Sequence, residues 1–166
     1  MLEILKYPDP RLKQVSQDVT TFDGKLHKLL DDMAVTMYAA NGVGLAAIQV
    51  GEPIRVFLVD IGEADKGTQK LLEFINPKIT KGEGKIVYEE GCLSVPGVTE
   101  EVTRRGKIVV KFHDRFGKEQ EMEADGLMAV AIQHENDHLD GILFVERLSP
   151  LRRRLMRKKI EKAVAI

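Results

Sequence analysis

Two histidines four residues apart, His134 and His138, enclose a glutamate in the string His134-Glu135-Asn136-Asp137-His138. On an α-helix that spacing stacks both imidazoles on one face, a turn apart. Imidazoles so placed can bind one divalent metal, and Glu135 is positioned to take a proton from an attacking water. The competing reading is a pair of satisfied core histidines. The surrounding run is so apolar, however, that two buried imidazoles and a buried carboxylate would be costly without partners. Coordination supplies those partners, and the string reads as that of a metallohydrolase.

The third ligand decides the class. One large protease group ends the string with a further histidine; here Gly141 fits that pattern, but the histidine's place is taken by Phe144, which binds no metal. Another group uses a downstream glutamate, for which Glu146 and Glu161 are the candidates, Glu161 lying poorly among basic residues. Cys92, in Glu90-Gly91-Cys92-Leu93-Ser94, is the remaining one. A lone cysteine is usually a small buried hydrophobe. Its glycine neighbour and polar flank argue instead for a loop that approaches something closely. The stretch Gly42-Val43-Gly44-Leu45-Ala46-Ala47-Ile48-Gln49 has glycines that could cradle a phosphate. No basic residue or Ser/Thr follows, as a phosphate loop requires, so by itself it reads as a helix stop and turn.

The elements that must position these residues follow from periodicity. Phe22, Leu26, Leu29, Leu30, Met33 and Met37 recur at helical spacing and Asn41-Gly42 supplies a stop, which predicts a helix near 24–40. Strands are expected over 54–61 and 71–75, over 85–88 and 98–102 on either side of a Cys92 loop, and as a hairpin over 107–112 and 119–124. Residues 126–140 form the second helix, apolar on every side and therefore buried. Pro150 opens a third, with Leu151, Leu155, Ile160 and Ala163 as its apolar stripe. The fold class is α+β: mostly antiparallel sheets around a central helix that carries the two histidines, with a helix near either end.

The chain has 166 residues, a size suited to one domain over 1–166, whose last part, 149–166, is a basic helix. One cysteine cannot form an internal disulfide, no secretory pattern opens the sequence, and no apolar run reaches membrane-spanning length. A cytoplasmic location is expected. The net charge of −1 is uneven: residues 149–166 carry seven basic side chains against Glu161, a net +6, which leaves −7 for the rest. Such a segment is either a solvated helix face or a surface for a polyanion.

Taken together, three strings resemble the signature of the peptide deformylases. Gly42 to Gln49 matches the family's G-x-G-L-A-A-x-Q, Glu90 to Ser94 its E-G-C-L-S, and Gln133 to Gly141 its Q-H-E-x-D-H-L-x-G. The similarity runs from Tyr7-Pro8-Asp9-Pro10 to the last helix. In the loop after Ser94 some relatives place an arginine where this chain has Thr99, so substrate contacts of that loop are not carried over.

The resemblance implies hydrolysis of the N-formyl group from the initiator methionine of nascent polypeptides, with release of formate. It implies Cys92, His134 and His138 as ligands of one divalent metal, Glu135 as the proton carrier, and Gln49 and the Leu93 backbone N–H as oxyanion donors. Gly44 would let the backbone come close to the substrate. A thiolate ligand is compatible with Fe(II), Zn, Co or Ni; the family implies Fe(II) in cells, in an oxygen-sensitive form, with zinc in purified samples. Leu127, Val130 and Ala131 precede His134 on its own helix face and, with Val43, are candidate walls of a methionine slot. Glu90 and Asp137 are candidates for orienting the ligands, whereas His27 and His113 share no motif with them. The basic helix suggests docking to rRNA near the ribosomal exit tunnel; neither membrane nor DNA is an expected partner. Two further readings are a metallopeptidase that uses Glu146 or Glu161, and a relative that binds peptide N-termini without turnover.

Overall fold

The computed structural model describes residues 1–62 and 70–164, with side chains through 162. The first helix, α1 (Gly24–Ala39), starts where the Asp23 carboxylate accepts the Leu26 N–H at 3.1 Å. It ends where Asn41 takes a left-handed conformation and the Gly42 N–H closes on the Met37 carbonyl at 2.9 Å, as the Asn-Gly pair predicts.

Five strands form one antiparallel sheet in the order β1 (Gly44–Ala46), β2 (Val56–Val59), β3 (Leu72–Glu83), then the two strands Lys107–His113 and Glu119–Asp125. In chain order the strands between β3 and these are β4 (Ile86–Cys92) and β5 (Val95–Arg104), which pair only with each other; the last two are thus β6 and β7. The unbroken apolar run of β2 explains its place. Val56 and Leu58 pack toward α1 with Leu26, Leu30, Met33 and Met37, while Phe57 and Val59 pack toward the second helix with Ala129 and Ile132. Alternate side chains thus fill the space on both faces of the sheet.

That second helix, α2 (Gly126–Leu139), is buried over most of its length, as its all-round apolar character predicts. Gly141 ends it at φ +74, and a Cβ there would sit 2.4 Å from the Lys13 carbonyl oxygen, so two constraints require glycine. A third apolar cluster joins Val95, Val98 and Val102 of β5 to Leu143, Phe144, Val145 and Leu148, and to α3 (Pro150–Val164). Among the described residues no helix is long and apolar enough to cross a membrane.

Three expectations need correction. The strand expected to stop before Asn76-Pro77 continues to Glu83, because the proline falls at a register irregularity between Ile75 and Lys78, where no ladder N–H is needed. Cys92 is not in a wide loop: β4 carries it to a tight turn, Leu93-Ser94, with Cys92 opposite Val95. On α3 the buried side chains are Met156 and Ile160, four apart, whereas Leu151 and Leu155 are 65% and 52% exposed. Among the described side chains of α3, Met156 and Ile160 are the ones buried in the third cluster. Ala163, the last member of the expected stripe, lies outside the described side chains.

Candidate metal centre

His134 and His138 stand one above the other on α2, with ring centroids 5.1 Å apart. The end of β4 brings Cys92 against them: Sγ lies 3.4 Å from His138 Nε2, and one donor atom from each of the three residues falls within 4.8 Å of the others. Two ligands on a tetrahedral metal, at about 2.3 Å for sulfur and 2.0–2.1 Å for nitrogen, stand roughly 3.5 Å apart. The donor set and its spacing therefore fit one divalent cation. Among the described residues no fourth His, Cys, Asp or Glu joins the group. Glu146 is instead ion-paired with Lys13, and Glu161 lies among arginines on α3. Phe144, at the position where another protease group has a histidine, packs with its ring centroid 6.1 Å from that of His134.

A charged network behind the candidate ligands fixes the orientation of His134. His134 Nδ1 lies 2.9 Å from Glu90 Oε1, which assigns the proton to Nδ1 and leaves Nε2 free to face the thiol. Glu90 in turn accepts two bonds from Arg104, both at 2.8 Å. Arg104 Nη1 donates to Asp137 at 2.6 Å, and Arg147 grips the same carboxylate from the other side at 2.6 and 3.0 Å. Burial disfavours the charge on Glu90, but Arg104 and His134 outweigh it and hold the carboxyl below its ordinary value. Burial likewise opposes the Arg104 charge, and Glu90 and Asp137 overcome it, so the guanidinium stays protonated. The sequence suggests Glu90 and Asp137 but does not single out Arg104 or Arg147. Arg104 shows only as one of two adjacent arginines at a strand end, which is no specific signal, and Arg147 has no sequence trace.

Glu135 has the opposite surroundings. Its side chain is buried, Oε1 has no hydrogen-bond partner, and Oε2 stands 3.9 Å from His134 Nε2. Burial pushes its carboxyl up to about 7. Burial pushes His138 toward the neutral form that a metal ligand would need. The Gln49 side chain is fixed at both ends: Oε1 accepts the Ala46 N–H at 2.9 Å, and Nε2 donates to Ser94 Oγ at 3.0 Å. That network also assigns the amide orientation, leaving the second N–H directed toward Cys92 Sγ at 3.6 Å.

A pocket of about 390 Å³ opens in front of this group. Val43, Leu127, Val130 and Ala131 all line it together with Leu93, Gln49, Cys92, His134 and Glu135. Gly44 lines it too, but its neighbour is unexpected. A Cβ at Gly44 would stand 2.4 Å from Glu135 Oε2, so the missing side chain makes room for the carboxylate. Thr99, also in the lining, donates its hydroxyl to Glu89 at 2.8 Å. His27 and His113 lie elsewhere: His27 bonds the Arg115 carbonyl at 2.8 Å, and His113 packs on Phe22.

A cysteine and an H-E-x-x-H helix meeting over an apolar pocket give a group that could hold one metal ion through one sulfur and two imidazoles, the pattern of a metal-dependent hydrolase. The polypeptide deformylase family model matches residues 1–154, and the chain belongs to that family. It is 49% identical to a peptide deformylase of Wolinella succinogenes over 164 residues, covering 98% of this chain and 96% of that protein. A peptide deformylase of Thermodesulfovibrio yellowstonii is 52% identical over 161 residues, covering 97% of each. The crystal structure of a peptide deformylase from Legionella pneumophila superposes with a TM-score of 0.91 at 45% identity, over 99% of this chain and 96% of that one.

Proposed function

We propose that the protein removes the N-formyl group from the amino-terminal formylmethionine of newly made polypeptides, releasing formate. The observation that carries this reading is the convergence of Cys92, His134 and His138 at the head of a pocket that also holds Glu135. A divalent cation held by those three side chains would supply Lewis acidity, making a nearby water a better nucleophile at neutral pH. Ferrous iron is the proposed ion in cells, with zinc, nickel or cobalt able to take its place in purified protein.

Glu135 takes a proton as the water oxygen bonds to the formyl carbon, and returns it to the amine nitrogen as the C–N bond breaks. The negative charge that develops on the formyl oxygen is met by the Gln49 N–H on the Cys92 side, whose 3.6 Å contact with Sγ is long, and by the Leu93 backbone N–H. Loss of one such donor typically costs on the order of 100-fold in rate. Glu90 and Arg104 keep His134 in its ligand tautomer throughout, and Leu127, Val130 and Ala131 exclude water from the methionine side chain while Val43 closes the rim. The whole of 1–166 acts as one cytoplasmic domain, with the basic 149–166 segment docking to rRNA near the exit tunnel.

The test is formate release from formyl-Met-Ala-Ser. Glu135→Gln should lower kcat by at least about 100-fold, at the low end of general acid–base contributions, while retaining bound metal. A Gln variant as fast as the wild type refutes the assignment. The metallopeptidase reading loses its ligand, since Glu146 is engaged by Lys13 and Glu161 is remote from the histidines.

A further inference from the structure

The first residues of the chain touch the candidate site from behind without lining its pocket. The Leu5 N–H donates to the Gln49 carbonyl at 2.7 Å, and the Tyr7 N–H to the Ser94 carbonyl at 2.8 Å. Between them the Lys6 ammonium donates to the Leu93 carbonyl at 3.0 Å. Leu5 and Lys6 thus hold both residues assigned above to the oxyanion, and Tyr7 holds Ser94 beside them.

Those two residues stand on different parts of the fold. Gln49 belongs to a 3-10 turn, Ala47–Val50, that follows β1 of the five-stranded sheet. Leu93 sits in the turn of the separate β4–β5 pair. Among the described residues no strand pairing joins the two sheets, so their spacing at the site depends on ties such as these and the Gln49–Ser94 side-chain bond. The segment that spans them is itself anchored, with Leu5 buried and Tyr7 packed against the cluster that holds Val95. A contact that only tethered the chain end would have no reason to use three residues on these particular carbonyls.

We infer that Leu5–Tyr7 is a strut that sets the distance between Gln49 and Leu93, and that Lys6 is a positioning residue for the hydrolysis. The inference rests on the deformylase reading given above. Oxyanion donors act only when aligned with charge as it develops, and a misplacement of about 1 Å can cost on the order of 100-fold. Releasing one of three holds has a smaller effect, on the order of 5- to 10-fold, and it falls on kcat because the interaction forms in the transition state. The bonds of Leu5 and Tyr7 use backbone N–H groups that no side-chain change removes. Lys6 holds Leu93 through its side chain and is exposed, so it can be changed without disturbing the core.

The experiment compares metal-loaded wild type, Lys6→Met and Lys6→Arg on formyl-Met-Ala-Ser, with bound metal and thermal midpoint measured on the same samples. Lys6→Met keeps the aliphatic stem and removes the donor; it should lose about 5- to 10-fold in kcat, with KM within about twofold. Its metal content and midpoint should match the wild type, and Lys6→Arg should recover most of the rate. Wild-type kcat in Lys6→Met overturns the strut, as does a loss confined to KM, a loss that tracks metal content, or an Arg variant as slow as the Met one. Wild-type protein that releases no formate instead refutes the deformylase reading itself.

Discussion

A methyl group at position 44 would land 2.4 Å from Oε2 of Glu135, 2.9 Å from its Cδ and 3.0 Å from its Cγ. The backbone there is ordinary strand, paired with Val59, and would accept any L-residue. What the glycine provides is therefore space for a carboxylate. The atom in the way is the end of a flexible side chain, so Gly44→Ala should fold with little loss, Glu135 swinging aside. The cost appears in the chemistry: a proton carrier displaced by about 1 Å loses on the order of 100-fold in kcat. Steady-state kinetics beside a thermal melt checks this. An unchanged kcat, or a collapse in stability, contradicts it. The sequence points to Gly44 through its motif but does not reveal this contact, since the carboxylate belongs to a residue 91 positions away.

At the scale of elements, the loop between α1 and β1 is fastened by a pair that sequence patterns do not reveal. The Tyr38 hydroxyl donates to Asp60 Oδ2 at 2.5 Å, and the Asp60 N–H donates to the Val43 carbonyl at 2.8 Å, next to Gly44. Burial and the Asp60 carboxylate push the Tyr38 hydroxyl up to about 12. Burial works against the Asp60 charge, but the Tyr38 hydroxyl and the Gly62 and Lys70 N–H groups outweigh it and lower its pKa. The bond thus stabilises the fold fully below pH ~10, the value for a free tyrosine, and is lost as pH rises through about 12. At the acid end it is present above the ordinary aspartate value and is lost as pH falls through the depressed one. Tyr38→Phe should cost about 1–2 kcal/mol near neutrality, with the gap to wild type narrowing above pH ~10. Denaturant titrations across pH measure this, and a gap independent of pH contradicts it. The helices α1 and α2 were legible because periodicity and caps are local signals. Strand β1, three residues long, and the continuation of β3 past Pro77 were not, because pairing partners decide both. The Glu90–Arg104–Asp137–Arg147 network draws on four separate elements and leaves no pattern in any one of them.

At the scale of the molecule, α3 buries Met156 and Ile160 and ties Arg152 to Glu100 of β5, leaving most of its basic side chains on the outside. That distribution, +6 on 149–166 against −7 elsewhere, favours a polyanionic partner and a salt-dependent contact. Chain truncated after Pro150 should lose low-salt co-sedimentation with ribosomes, and unaltered co-sedimentation dismisses the docking proposal. The larger dependence lies in the proposed centre itself, since one proposed ligand comes from the two-stranded sheet and two from the helix on the five-stranded sheet. X-ray absorption on zinc-loaded protein tests that joining most directly. The account predicts one sulfur at about 2.3 Å and two imidazole nitrogens at about 2.0–2.1 Å, with the sulfur lost in Cys92→Ser. A shell without sulfur, or one closed by a fourth protein side chain, would contradict it.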